Sequence, residues 1–184
     1  MPNYSKSGKS LFPITQAQLG TALMEGMFKQ ERHKAFVVCL FYYGIRRMEA
    51  IRAKREQFDI TDSLIYFDVG ERLKKRKYSQ KKQKEIVARG VLRTAPLPLK
   101  LTEPHVHLLV EAVENTKQGK RVFPYCSKTG YNICSRAFNT YPHRFRLTNF
   151  TQIARAKGIA YLKSWSALTL PALEYYMGIV DLES

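Results

Sequence analysis

The hydrophobic pattern of this chain changes period twice. From about Pro13 to Lys54 apolar residues recur at helical spacing, which predicts three helices. Thr15 caps the first, which carries Leu19, Leu23, Met24 and Met27. The second runs from about Gln30 to Tyr43 with Phe36, Val37, Leu40 and Phe41 inward, and Gly44 ends it. The third runs from Arg46 to about Lys54, with Met48 and Ile51 inward. The period then shortens: Leu64 to Val69 reads as a strand, and Gly90 to Leu97 as its returning partner. Helical spacing resumes at Thr102, the expected cap of a helix opened by Glu103 and Pro104. Val106, Leu109, Val110 and Val113 form its core face. Arg121 to Pro124 is a short extended segment, and a further helix is expected from Tyr131 to Asn139.

The last clear helix lies within Tyr141 to Gly158. Pro142 suits its first turn, Phe145, Thr148, Ile153 and Ala156 mark its periodicity, and Gly158 its C-terminus. Helices, a β-hairpin, then helices predict an α+β fold, mostly helical, with a small antiparallel hairpin or sheet at one edge. Residues 1–12 are polar and basic and read as a loose leader before a single domain over 13–184.

Composition narrows the function. A hydrophobic fraction of 45% is enough for a folded core. Lys and Arg number 31 against 15 Asp and Glu, a formal charge of +16 that points to nucleic acid, with an anionic membrane the weaker option. Neither a signal peptide nor a membrane span is visible, the longest apolar run being Ala35 to Tyr43. Cys39, Cys126 and Cys134 form no CxxC pair, which argues against zinc or a disulfide framework and for a reducing interior.

Four features carry candidate chemistry. Arg46 follows a helix-to-helix turn, and Glu49, three residues on, can hold its guanidinium. Arg72 to Lys84 (RLKKRKYSQKKQK) concentrates eight positive charges between the two strands with no acid. Such a run is either a solvated hairpin tip or a contact to DNA phosphates. His143 and Arg146 share one face at a helix N-terminus, where backbone N–H groups already favour an anion. Tyr175 and Tyr176 form a late pair. His105 and His107 read as structural or surface residues rather than metal ligands.

In order and residue type, these features resemble the catalytic domain of the tyrosine recombinase (phage-type integrase) family. That family's pattern is Gly-Leu-Arg-x-x-Glu, a hairpin lysine, His-x-Leu-Arg, a His or Trp, and a nucleophilic tyrosine. GIRRMEAIR is similar to the first box, VLRTAPLP to the returning strand, RVFP to the segment after the following helix, and His143-Arg144-Phe145-Arg146 to the second box. The resemblance runs from about Pro13 to Val180. The chain departs from the pattern in Leu147, where the family often has a basic residue, and in lacking a visible Leu-Gly-His box. Trp165 is the best substitute there, although its spacing to the tyrosines is not the family's usual one. The family's N-terminal core-binding domain is also not visible in the sequence.

The resemblance implies cleavage and rejoining of duplex DNA through a 3′-phosphotyrosyl intermediate, with no metal or other cofactor and no small-molecule substrate. Arg46 and Arg146 would neutralise the scissile phosphate bidentately, which lysine could not do. Lys75, with Lys74 and Lys77 as alternatives, would protonate the leaving oxygen, and His143 would accept a proton or touch the phosphate. Trp165 would fill the His/Trp position. Tyr176 would be the nucleophile, since Glu174-Tyr175-Tyr176-Met177-Gly178-Ile179 resembles the family's ending. Arg47, Lys74, Arg76, Lys77, Lys81, Lys82 and Arg144 would contact DNA. Self-association as a tetramer on DNA, a DNA-associated cytoplasmic location, and origin in a prokaryotic or viral mobile element are implied likewise. Two other classes stay open: a DNA-binding relative without chemistry, and a basic RNA-binding protein.

Overall fold

The computed structural model describes residues 13–69, 96–166 and 173. Its helices are α1 (Gln16–Met24), α2 (Glu31–Tyr43), α3 (Arg47–Arg52), α4 (Val106–Glu114), α5 (Ser127–Phe138) and α6 (His143–Ser166). A 3-10 turn, Arg55–Gln57, leads from α3 into the strands β1 (Phe58–Ile60), β2 (Leu64–Phe67) and β3 (Leu97–Lys100). The described chain is thus α+β, mostly helical, with a small antiparallel sheet.

Helix α2 is the centre. Every residue from Ala35 to Phe41 is buried, and so is Tyr43, so this helix has no solvent face along most of its length. Around it pack α3, α4, α5, α6 and β3. Gly44 ends α2 in the left-handed conformation (φ 57°), where a Cβ would overlap the Asn149 side chain. The Tyr43 hydroxyl donates to the Ile65 carbonyl at 2.8 Å and ties α2 to the sheet.

The sheet order is β1-β2-β3, antiparallel throughout, with Phe67 paired to Phe58 on one side and Leu97 on the other. The rings of Phe58 and Phe67 stack at 4.3 Å, which fixes this register from the core side. A second, smaller apolar cluster joins Leu147, Phe150, Leu162 and Leu173 beneath α6.

Several expectations are met and others corrected. Thr15 caps α1 through a reciprocal capping box with Gln18, as its sequence suggests. Met24 is 83% exposed, however, and Met27 lies exposed beyond the helix end, so neither belongs to the core. The strand opposite β2 begins at Leu97 rather than ending there. Leu97 and Leu99 point inward and Pro98 outward, on an edge strand where a missing N–H is tolerated. The expected partner over Gly90 to Ala95 lies outside the described residues. Strand β1 is an addition to the expected elements.

Thr102 does not cap α4. The chain makes a further turn, and His105 takes the N-cap position with φ 65°. Val106, Leu109 and Val113 are buried as expected, while Val110 is half-buried. Helix α5 starts four residues before Tyr131, at Ser127, capped by Cys126. Gly158 does break the helical backbone (φ 80°), but a second helical segment continues to Ser166, and Ala156 is exposed. Among the described residues no helix is long and apolar enough to cross a membrane.

Candidate functional site

The reversal at Gly44 sends the chain through buried Ile45 into Arg46, the N-cap of α3. Glu49 holds this arginine twice: Oε2 accepts its backbone N–H at 2.6 Å, and Oε1 accepts from Nη1 at 3.0 Å. The Arg46 side chain remains 38% exposed, with one nitrogen of its fork engaged by Glu49.

Helix α6 arrives from the other side. Pro142 is buried, and His143 opens the helix with an exposed ring. Every residue from Phe145 to Thr151 is then buried, because this stretch lies between α2 and the second apolar cluster. Arg146 falls inside it and is only 2% exposed. Its Nη1 donates to the Gly44 carbonyl at 3.0 Å, and its guanidinium lies 4.4 Å from the centre of the Phe150 ring. The two arginine motifs therefore meet.

Between them is an open cleft of about 370 Å³, lined by Arg46 and Arg47 on one side, by Tyr141, Pro142 and His143 on another, and by Tyr131 of α5. His143 is an exposed residue, yet the surrounding protein takes away part of the water around its imidazole. That loss of water, followed by the charges of Arg146, Arg144 and Arg46, holds its imidazole below the ordinary histidine range. A neutral imidazole beside cationic guanidinium groups can accept a proton where an anion is favoured.

Of the expected site residues Arg46, Arg47 and His143 line this cleft, while Arg144 and Arg146 lie near His143 without lining it; Arg146, only 2% exposed, does not present its fork to the cleft as the resemblance implies. Arg47 is also held in place: Nη2 donates to Ser127 Oγ at 2.9 Å, and its guanidinium lies 5.9 Å from the centre of the Tyr131 ring. Arg144 is half-buried, its backbone N–H bonded to the Tyr141 carbonyl at 2.9 Å. Trp165 is not among the residues lining this cleft. It lines a separate groove with Tyr161, and its indole N–H donates to Asn149 Oδ1 at 3.1 Å. Asn149 in turn donates to the Tyr42 carbonyl and lies against Gly44, so Trp165 reaches the first arginine motif through one intermediary. Tyr161 stacks on Trp165 and lies under the Lys157 ammonium.

Lys74, Lys75, Arg76, Lys77, Lys81, Lys82, Tyr175 and Tyr176 lie outside the described residues. Among the described residues no group of His, Cys, Asp and Glu is placed to hold a metal ion. Sequence reasoning missed Tyr131, Tyr141 and Asn149. The tyrosines stand next to or within elements that the sequence marks, but only the packing of α5 against α3 brings Tyr131 to the cleft, and only the entry into α6 brings Tyr141 there. Comparison of the chain with protein-family models, curated proteins and solved structures finds no match.

Proposed function

We propose that this protein is a DNA strand transferase of the tyrosine recombinase type. Its partner is duplex DNA, on which it self-associates. The observation that carries the reading is the junction of two motifs 102 positions apart, through the Arg146–Gly44 hydrogen bond beside the cleft that holds Arg46 and His143. A scissile phosphate in this cleft meets the partly exposed fork of Arg46, pre-oriented by Glu49, and feels the charge of buried Arg146 nearby. His143, neutral at physiological pH, takes the proton of the attacking phenol or hydrogen-bonds the phosphate.

Attack by Tyr176 on phosphorus forms the 3′-phosphotyrosyl bond and breaks the bond to the 5′-oxygen. A lysine of the basic run, Lys75 by its position, then supplies the proton that this oxygen takes up. Leu173 packs in one cluster with Leu147 and Phe150, next to Arg146 and four residues beyond it. Trp165 acts as a positioning residue through Asn149.

A specific observation favours the second reading, DNA binding without chemistry. Arg146 is almost wholly buried and spends one donor on a backbone carbonyl, as a structural arginine would. Incubation with a nicked suicide duplex, followed by a denaturing gel, separates the two. A covalent protein–DNA band supports strand transfer; binding without the band supports the second reading.

A further inference from the structure

A second basic cleft lies away from the one just described, where the segment after α4 meets the first turn of α2. It encloses about 400 Å³ and is lined by Arg32, Lys117, Lys120 and Arg121 together with uncharged residues. Lys117, Lys120 and Arg121 are exposed. Among the described residues none of the four cations makes an ion pair. Two neighbouring acids are engaged by other groups: Glu31 pairs with Lys34 at 2.8 Å, and Glu56 accepts the Gly119 N–H at 3.0 Å and lies 3.7 Å from Lys54. Like charges held together without ion pairs repel one another, and an external anion relieves that repulsion.

The loop that presents these cations is built rather than loose. The Arg55 N–H donates to the Lys120 carbonyl and the Val122 N–H to the Ala53 carbonyl, each at 3.0 Å. Thr116 Oγ1 donates to the Ala112 carbonyl at 2.7 Å, and Gly119 turns the chain at φ 76°. None of these bonds uses a lysine or arginine side chain, so the charged groups are positioned by backbone and left available.

Helix α3 links the second cleft to the first. Arg46 caps the N-terminus of α3, whose six residues rise about 9 Å. Exposed Arg52 and Lys54 follow, and Lys54 pairs with Arg121 in an isolated antiparallel bridge. Cations therefore stand at both ends of the helix that links the two clefts. An extended polyanion with closely spaced charges fits two linked basic clefts better than a single small anion does.

The geometry points to a second phosphate-binding cleft, formed by Arg32, Lys117, Lys120 and Arg121, that grips the DNA backbone flanking the reacting phosphate. This rests on the DNA reading above and extends it to residues to which the resemblance assigns no DNA contact. The contacts are to phosphate, so they add affinity and position without reading sequence.

The test is the salt dependence of binding to an arbitrary duplex of about 30 base pairs, measured by fluorescence anisotropy. The variant carries Lys117→Gln, Lys120→Gln and Arg121→Gln together. Its log–log slope should be shallower than wild type by roughly 2 to 3, close to 0.9 for each phosphate no longer neutralised. Its thermal midpoint should be unchanged, since exposed side chains alone are altered. A slope equal to that of wild type overturns the second cleft and leaves the DNA reading standing. A wild-type protein that does not bind duplex DNA overturns both.

Discussion

Arg146 Nη1 donates to the Gly44 carbonyl at 3.0 Å and so joins the start of α6 to the end of α2. Gly44 is the residue whose left-handed backbone turns the chain toward Arg46. One hydrogen bond thus links the turn that aims the first arginine to the side chain of the second. The two arginines differ in kind: Arg46 is half-exposed and braced by a carboxylate, while Arg146 is buried under an aromatic ring.

This difference predicts opposite effects of substitution. Arg146→Met leaves a buried carbonyl without its donor and should lower stability by about 1 to 3 kcal/mol in urea unfolding. Arg46→Ala removes a part-buried ion pair, worth about 1 kcal/mol, yet should lower DNA affinity clearly. Equal stability losses would mean that Arg146 is not a structural tie.

Gly44→Ala should be the more damaging glycine substitution in this region. An L-residue at φ 57° costs about 1 to 2 kcal/mol, and the new methyl overlaps Asn149. The displaced Asn149 would also release Trp165, so a change in tryptophan fluorescence should accompany the loss. Wild-type stability in this variant would contradict the close approach.

The pH dependence of folding follows from the environment of His143. Its folded pKa is depressed, first by loss of water and then by Arg146, Arg144 and Arg46, so the unfolded chain binds the proton more readily. The contribution is fully present above the unfolded value of about 6.5 and is lost as pH falls through the folded one. His33 is lowered in the same direction, by burial and by Lys29, and adds to the effect. His143→Gln should therefore weaken the acid sensitivity of the thermal midpoint and leave the part due to His33. An unaltered pH profile would place His143 outside the field of the arginines.

The basic run from Arg72 to Lys84 gives a separate expectation. If it contacts phosphates, replacing Lys74, Lys75, Lys77 and Lys81 by Gln should lower the log–log salt slope of DNA binding by roughly 3 to 4. An unchanged slope would make the run a solvated tip.

The parts of this fold that local chemistry dictates were legible in the sequence. Thr15 with Gln18, Gly44 after α2, and the break at Gly158 depend on side chains or backbone freedom within a few residues. The three residues of β1 were not legible, because they carry no periodicity of their own and are held by the stacking of Phe58 on Phe67. His105 at positive φ hid the true start of α4, since only tertiary packing overrides the preference of a non-glycine residue. In the candidate site the residue types and their order were readable, but the burial of Arg146 was not. An arginine reads as a surface residue until Phe150 and the Gly44 carbonyl are seen around it. The second basic cleft was invisible for a similar reason, since Arg32 and Arg121 stand far apart in the chain.

The most direct test of strand transfer is the covalent band on a denaturing gel, run with a nicked suicide duplex for wild type, Tyr175→Phe and Tyr176→Phe. The sequence leads one to expect a short helix after Pro171, and in a helix adjacent residues point about 100° apart, so only one of the pair would face the arginines. Wild type and Tyr175→Phe should form the band, and Tyr176→Phe should bind DNA without forming it. A band from Tyr176→Phe with none from Tyr175→Phe would move the nucleophile by one residue. The absence of any band from wild-type protein bound to the duplex would contradict strand transfer itself.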